Sequence, residues 1–185
     1  MLHEIEDLEA EKSRVLERTE FDSAPPVLAF VEIEVDGDPA DYSGRLRAAL
    51  GAALDLAVSE SFDDDLPTGT VPAWFAGVCK DGEGPVEAFA ARGRERYTER
   101  TGDGPWELQD WLSRFDPDLE VRGWAWWDLT GSPEGEGRLR LWLDTWGEAF
   151  FSWEDLRWLL YVCGARSVAD PMLVKPEVWA REASV

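Results

Sequence analysis

Hydrophobic and polar positions alternate most regularly over residues 27–35, VLAFVEIEV. Val27, Ala29, Val31, Ile33 and Val35 point one way, Glu32 and Glu34 the other, which predicts a half-buried strand. Asp36-Gly-Asp-Pro39 is turn chemistry. Beyond it Leu46, Leu50, Leu54 and Ala57 recur at three- and four-residue steps, predicting a helix over roughly 41–60. Upstream, residues 2–20 carry Leu2, Ile5, Leu8, Val15 and Leu16 on a thin stripe interrupted at Lys12. That pattern predicts a charged helix, marginal alone, that docks on the body of the protein or on a partner.

The middle of the chain is harder to read. Residues 61–70 have loop composition, and 71–79 (VPAWFAGVC) predict a short edge strand, because Pro72 cannot donate to a sheet. Pro85 suits a helix start, with Val86, Phe89, Ala90, Gly93 and Tyr97 as its apolar face. Asp103 is placed to cap the next helix, with Pro105 just inside it and Trp111, Leu112 and Phe115 buried. Residues 120–130 and 138–146 predict two strands joined through Gly131-Ser-Pro-Glu-Gly-Glu-Gly137 as a hairpin. Ser152 followed by Asp155 resembles a capping box. It opens a helix whose stripe is Trp153, Leu156, Leu159, Leu160 and Cys163, closed by Gly164. Residues 165–168 predict a last strand, and Trp179 stands alone in the tail. The expected fold is α+β, a mostly antiparallel sheet with helices packed on it. Residues 1–24 form an acidic N-terminal helix or appendage, and 25–185 one compact domain.

The hairpin carries an unusual pattern. With a turn centred near Glu134, one face holds Val121, Ala125, Trp127 and Leu129 beside Leu139, Leu141 and Leu143. The other holds Arg122, Trp124, Trp126 and Asp128 beside Arg140, Trp142, Asp144 and Trp146. In that register Trp126 faces Trp142, Arg122 faces Trp146 and Asp128 faces Arg140. Either a helix covers this second face, or part of it is a recognition surface. Trp and Arg dominate binding hot spots, and Arg and Asp suit a purely buried layer poorly.

Composition narrows the chemistry. The 185 residues carry 39 Asp and Glu against 18 Lys and Arg, a formal charge of −21. Residues 1–65 alone hold 18 acidic and 5 basic residues. No apolar run has the length of a membrane span. The start, MLHEIEDLEAEK, is acidic where a signal peptide is basic, which favours a cytoplasmic protein. A nucleic-acid binder shows a basic stripe, and here the sign is reversed. The one histidine, His3, sits where chains are usually least ordered, which disfavours His-based catalysis and His-ligated metal sites. Cys79 and Cys163 fit reduced, buried thiols better than a disulfide. The glycine-rich 131–137 segment lacks the Lys and helix N-terminus of a phosphate loop, and no motif calls for a cofactor. The acidic clusters Asp63-Asp64-Asp65, Glu4–Glu11 and Asp36/Asp38/Asp41 lack the spacing of a calcium loop and read as solvated charge rather than a metal site.

These features favour a non-catalytic acidic binding protein with a basic protein partner, of the inhibitor or immunity type that neutralises a toxin such as a nuclease. Carboxylates there stand in for substrate phosphates and speed encounter. Trp124, Trp126, Trp142 and Trp146 are the expected anchors, and Asp63, Asp64 and Asp65 the steering charges. The alternatives are a carboxylate-dependent enzyme, with Mg²⁺ or without, and an adaptor subunit of a larger assembly.

Overall fold

The computed structural model describes residues 3–17 and 23–184. In chain order the elements are α1 (Ile5–Leu16), β1 (Leu28–Val35), α2 (Pro39–Ser59), α3 (Ala73–Val78), α4 (Ala88–Thr101), α5 (Leu108–Ser113), β2 (Ala125–Gly131), β3 (Arg138–Asp144), α6 (Glu154–Val162), β4 (Ala165–Val168), β5 (Met172–Val174) and α7 (Pro176–Ala183). The fold is α+β, with one antiparallel sheet ordered β2-β3-β1-β4. The alternating strand β1 lies at its centre. It pairs with β3 along one edge (Ala29 opposite Leu143, Ile33 opposite Leu139). Along the other edge it pairs with β4 at its C-terminal end and β5 at its N-terminal end. Asp170-Pro171 separates those two short strands, as a residue without an N–H does best at a sheet edge.

Alternation along β1 decides the two layers. Ala29, Val31, Ile33 and Val35 join Leu141 and Leu143 in the main core, beneath α2, α4 and α6. Leu28 and Phe30 face the opposite side, where Trp127 and Trp142 pack with Val174, Val178 and Trp179. A helix, α7, therefore covers the second face. The isolated Trp179 of the tail is part of that cover. Its ring meets Trp127 at 5.6 Å, and its indole N–H donates to Asp128 Oδ2 at 2.9 Å.

Local chemistry fixes the helix positions. Asp38 caps α2 by accepting from the N–H groups of Ala40 (2.7 Å) and Asp41 (3.2 Å), with Pro39 in the first turn. Gly93 lets α4 approach α6, since a Cβ there would sit 2.0 Å from the carbonyl oxygen of Tyr161. Gly164, at φ 114°, turns the chain out of α6 into β4.

Several sequence expectations are corrected. Residues 71–79 form α3, not a strand: the carbonyl of Pro72 accepts from Phe75 (2.9 Å) and Ala76 (3.1 Å). A short apolar run has no resolvable period, so turn formation at Pro72 decided it. Asp103 does not cap α5, which starts five residues later. The N–H of Leu108 is instead satisfied by Asp81 Oδ1 from a distant turn, at 3.0 Å. Ser152 is not the N-cap of α6: Trp153 holds that place, and Ser152 Oγ accepts from Arg114 Nη2 at 2.8 Å. Asp155 points inward and is fully buried.

The hairpin register also differs. Ala125 opposes Asp144 and Trp126 opposes Leu143, but Asp128 opposes Trp142 and Thr130 opposes Arg140, with a bulge between Trp126 and Asp128. One extra residue in β2 exchanges faces along the strand. Trp124 and Trp126 therefore enter the main core with Leu129, while Trp127, Asp128 and Thr130 face α7. Trp126 does not face Trp142, nor Asp128 Arg140, and Arg122 pairs with Glu11 of α1 instead.

α1 docks on the body, against α2 and β2, with Leu8, Glu11 and Val15 buried. Leu2 and residues 18–20 of the predicted helix lie outside the described residues. Among the described residues no helix is long and apolar enough to cross a membrane.

Candidate interaction surface

Of the four tryptophans expected to anchor a partner, three are inside. Trp124, Trp126 and Trp142 have no exposed surface. Trp124 donates its indole N–H to Asp155 Oδ1 at 2.9 Å, and Trp142 donates to Thr130 Oγ1 at 2.9 Å. As folded, these three hold layers together and cannot touch a partner. Trp146 is the exception: of the eleven tryptophans it alone is exposed, at 38%. Its φ of 53° is a left-handed value that bulky side chains rarely adopt.

The arginines of the predicted face are also committed inward. Arg122 lies between the rings of Phe115 (4.7 Å) and Trp124 (4.8 Å). Its two terminal nitrogens each donate to Glu11 at 2.7 Å. Arg140 lies over Phe30 and pairs with Glu32 at 2.8 Å and with Glu182. His3 is likewise not a loose terminus. It is buried, its Nε2 donating to the Arg122 carbonyl (2.9 Å) and its Nδ1 accepting from the Arg122 guanidinium (3.2 Å). Burial, and then the Arg122 charge, lower its pKa, so it is neutral in place. No sequence signal marked this; a lone His near a terminus has no pattern around it.

Asp63, Asp64 and Asp65 are exposed, as expected of steering charges. They line a groove of about 660 Å³ with Phe62, Leu66, Gln109, Asp110 and Ser113. The loop is fixed to α5 by a two-way bond. The N–H of Leu66 donates to Gln109 Oε1 and Gln109 Nε2 donates back to the Leu66 carbonyl, both at 3.0 Å. Four carboxylates and no cationic side chain line this groove. Asp110 is shared with a second hollow of about 310 Å³, lined among others by Asp103, Glu107, Glu154, Tyr97, Trp106 and Lys80. Lys80 is paired there with Glu107 at 3.3 Å. Glu154 Oε2 is shielded from solvent with no hydrogen-bond partner, and burial, partly offset by Arg157, raises the Glu154 pKa.

The other acidic clusters have structural work. Asp36 pairs with Arg96 (3.1 Å), Arg92 and Arg166, Asp38 caps α2, and Glu11 is buried on Arg122. Cys79 and Cys163 are free, buried thiols. Among the described residues no group of three His, Cys, Asp or Glu side chains could hold a metal ion.

No protein-family model, curated protein or solved structure matches the chain.

Proposed function

We propose that the chain is a non-catalytic acidic binding protein that neutralises a basic protein partner in the cytoplasm, as an inhibitor or immunity-type factor does for a toxin such as a nuclease. The observation that carries this reading is the groove at Asp63–Asp65. Its four carboxylates face solvent with no lysine or arginine in its lining, and it meets a second acidic hollow at Asp110. A concentrated field of one sign speeds encounter with an oppositely charged surface and repels nucleic acid. The net charge of −21 extends that field over the molecule.

The test is capture at low salt on immobilised wild-type protein and, in parallel, on the Asp63→Asn, Asp64→Asn, Asp65→Asn variant. A basic protein retained by the wild type and depleted on the variant supports the reading. Retention of only acidic or neutral proteins, equally on both, overturns it.

One observation favours a carboxylate-dependent enzyme as a second reading. Glu154, paired with Arg157 at 3.0 Å, lines the hollow beside Trp106 and Tyr97, and burial raises its pKa despite that pair, as a general acid requires. Turnover lost in Glu154→Gln with the fold intact would identify it.

A further inference from the structure

Three of the exposed large hydrophobic side chains, Leu119 (55%), Trp146 (38%) and Phe150 (96%), lie on two loops that are fastened together. One loop joins α5 to β2 and the other joins β3 to α6. Arg114 Nη2 donates both to the Val121 carbonyl on the first and to Ser152 Oγ on the second. Gly123 is pressed against the second loop so closely that a Cβ would fall 2.9 Å from Phe151 Cβ and 3.0 Å from the Ser152 nitrogen.

The second loop is held in shape from within. Thr145 is buried, its hydroxyl donates to the Glu148 carbonyl at 3.1 Å, and Glu148 N–H donates to the Thr145 carbonyl at 2.9 Å. Trp146 N–H donates to Asp144 Oδ1 at 2.8 Å, and the His3 ring meets the indole edge-on at 4.8 Å. The only non-glycine residues with positive φ among those described, Glu120 (48°) and Trp146 (53°), fall one in each loop. Rigid aromatic side chains lose little freedom on binding, which is why they recur as anchors.

The two arginines of the first loop, Arg114 and Arg122, are turned inward onto Asp155 and Glu11, and the remaining charges of both loops have one sign. Residues 115–121 carry Asp116, Asp118 and Glu120, residues 143–152 carry Asp144 and Glu148, and neither stretch holds a lysine or arginine. Exposed apolar side chains carried among carboxylates on two joined loops are complementary to an apolar recess bordered by cations. A second copy of this chain, at −21, would meet them with like charge.

We propose that Leu119, Trp146 and Phe150 form the apolar anchor for the basic protein partner, seated in an apolar recess bordered by lysine or arginine. This rests on the basic-partner reading above. The experiment uses two synthetic helical peptides: one of leucine and lysine with an apolar stripe, and one with every leucine replaced by serine. Binding to the full chain is followed at low salt by peptide fluorescence anisotropy. The wild type binds the leucine peptide about tenfold or more tighter than the serine peptide, the margin of a hot-spot aromatic. Phe150→Ser, at a residue exposed over almost its whole surface, and Trp146→Ala each reduce that margin. Asp63→Asn, Asp64→Asn, Asp65→Asn weakens both peptides alike and leaves the margin intact. Equal binding of the two peptides, or a margin unchanged in Phe150→Ser and Trp146→Ala, overturns the anchor while leaving the basic-partner reading standing. Failure of the wild type to bind either peptide overturns both.

Discussion

Glu11 and Arg122, 111 residues apart, meet inside the protein as a two-pronged ion pair. Each carboxylate oxygen accepts from a guanidinium nitrogen at 2.7 Å, and both side chains are about 1% exposed. The Trp126 backbone N–H adds a third bond to the carboxylate at 2.7 Å. This pair docks the charged helix α1 that the sequence left free to bind the body or a partner. Removing one partner strands the other charge in the interior, which typically costs about 3–5 kcal/mol. Glu11→Gln and Arg122→Met are therefore expected to lower stability by about that amount in urea unfolding. By contrast Lys12→Ala, which breaks the half-exposed pair with Asp55, costs at most about 1 kcal/mol.

Acid should release α1 in two stages. Burial, and then Arg122, hold the His3 pKa below its ordinary 6.5, so the unfolded chain takes up this proton first. The stability His3 contributes is complete above about pH 6.5 and is lost as pH falls toward its native pKa. Burial pushes the Glu11 carboxyl up, but the Arg122 charge and the bonds from Arg122 and Trp126 outweigh it, and the net pKa is below 4.5. The Glu11 contribution is thus complete above about pH 4.5 and is lost as pH falls through the native value. Chemical denaturation at a series of pH values should show both phases, and His3→Gln should remove the upper one alone.

Both thiols should be silent in the native protein. Burial, helped by Asp81, pushes Cys79 up to about 12, and burial pushes Cys163 higher still despite Arg45. A thiol reagent at pH 8 should label neither until denaturant unfolds the chain, and then both. Rapid labelling of the folded protein would contradict the burial described.

The tightest helix crossing supplies a steric prediction. Gly93→Ala places a methyl against the backbone of Tyr161, so α4 and α6 must separate. Loss of more than about 3 kcal/mol, or of folding altogether, is expected, since overpacking at backbone cannot be relieved by a rotamer change. Gly104→Ala, where a Cβ meets nothing within 4 Å, is the matched control.

Much of this architecture is legible in the sequence, because Ala29, Val31, Ile33 and Val35 alternate along β1 and Leu46, Leu50, Leu54 and Ala57 recur at helical steps along α2, and all of them are buried. The hairpin strands are legible too, but their register is not. The bulge beside Trp127 has no glycine to mark it, and one inserted residue sends Trp124 and Trp126 to the core. The same tryptophans were legible as important and illegible as buried, since indole serves both roles. Asp63–Asp65 were readable as solvated charge because three adjacent carboxylates seldom find three cations. The groove they share with Gln109 and Asp110 comes from a contact across 43 residues, which no local pattern encodes.

The most direct test of the basic-partner reading is the association rate of the captured partner, measured by stopped flow across salt. Electrostatic steering predicts a rate that falls at least about tenfold between about 50 and 500 mM salt, and is lower at low salt in the Asp63→Asn, Asp64→Asn, Asp65→Asn variant. A rate indifferent both to salt and to those three substitutions would contradict it.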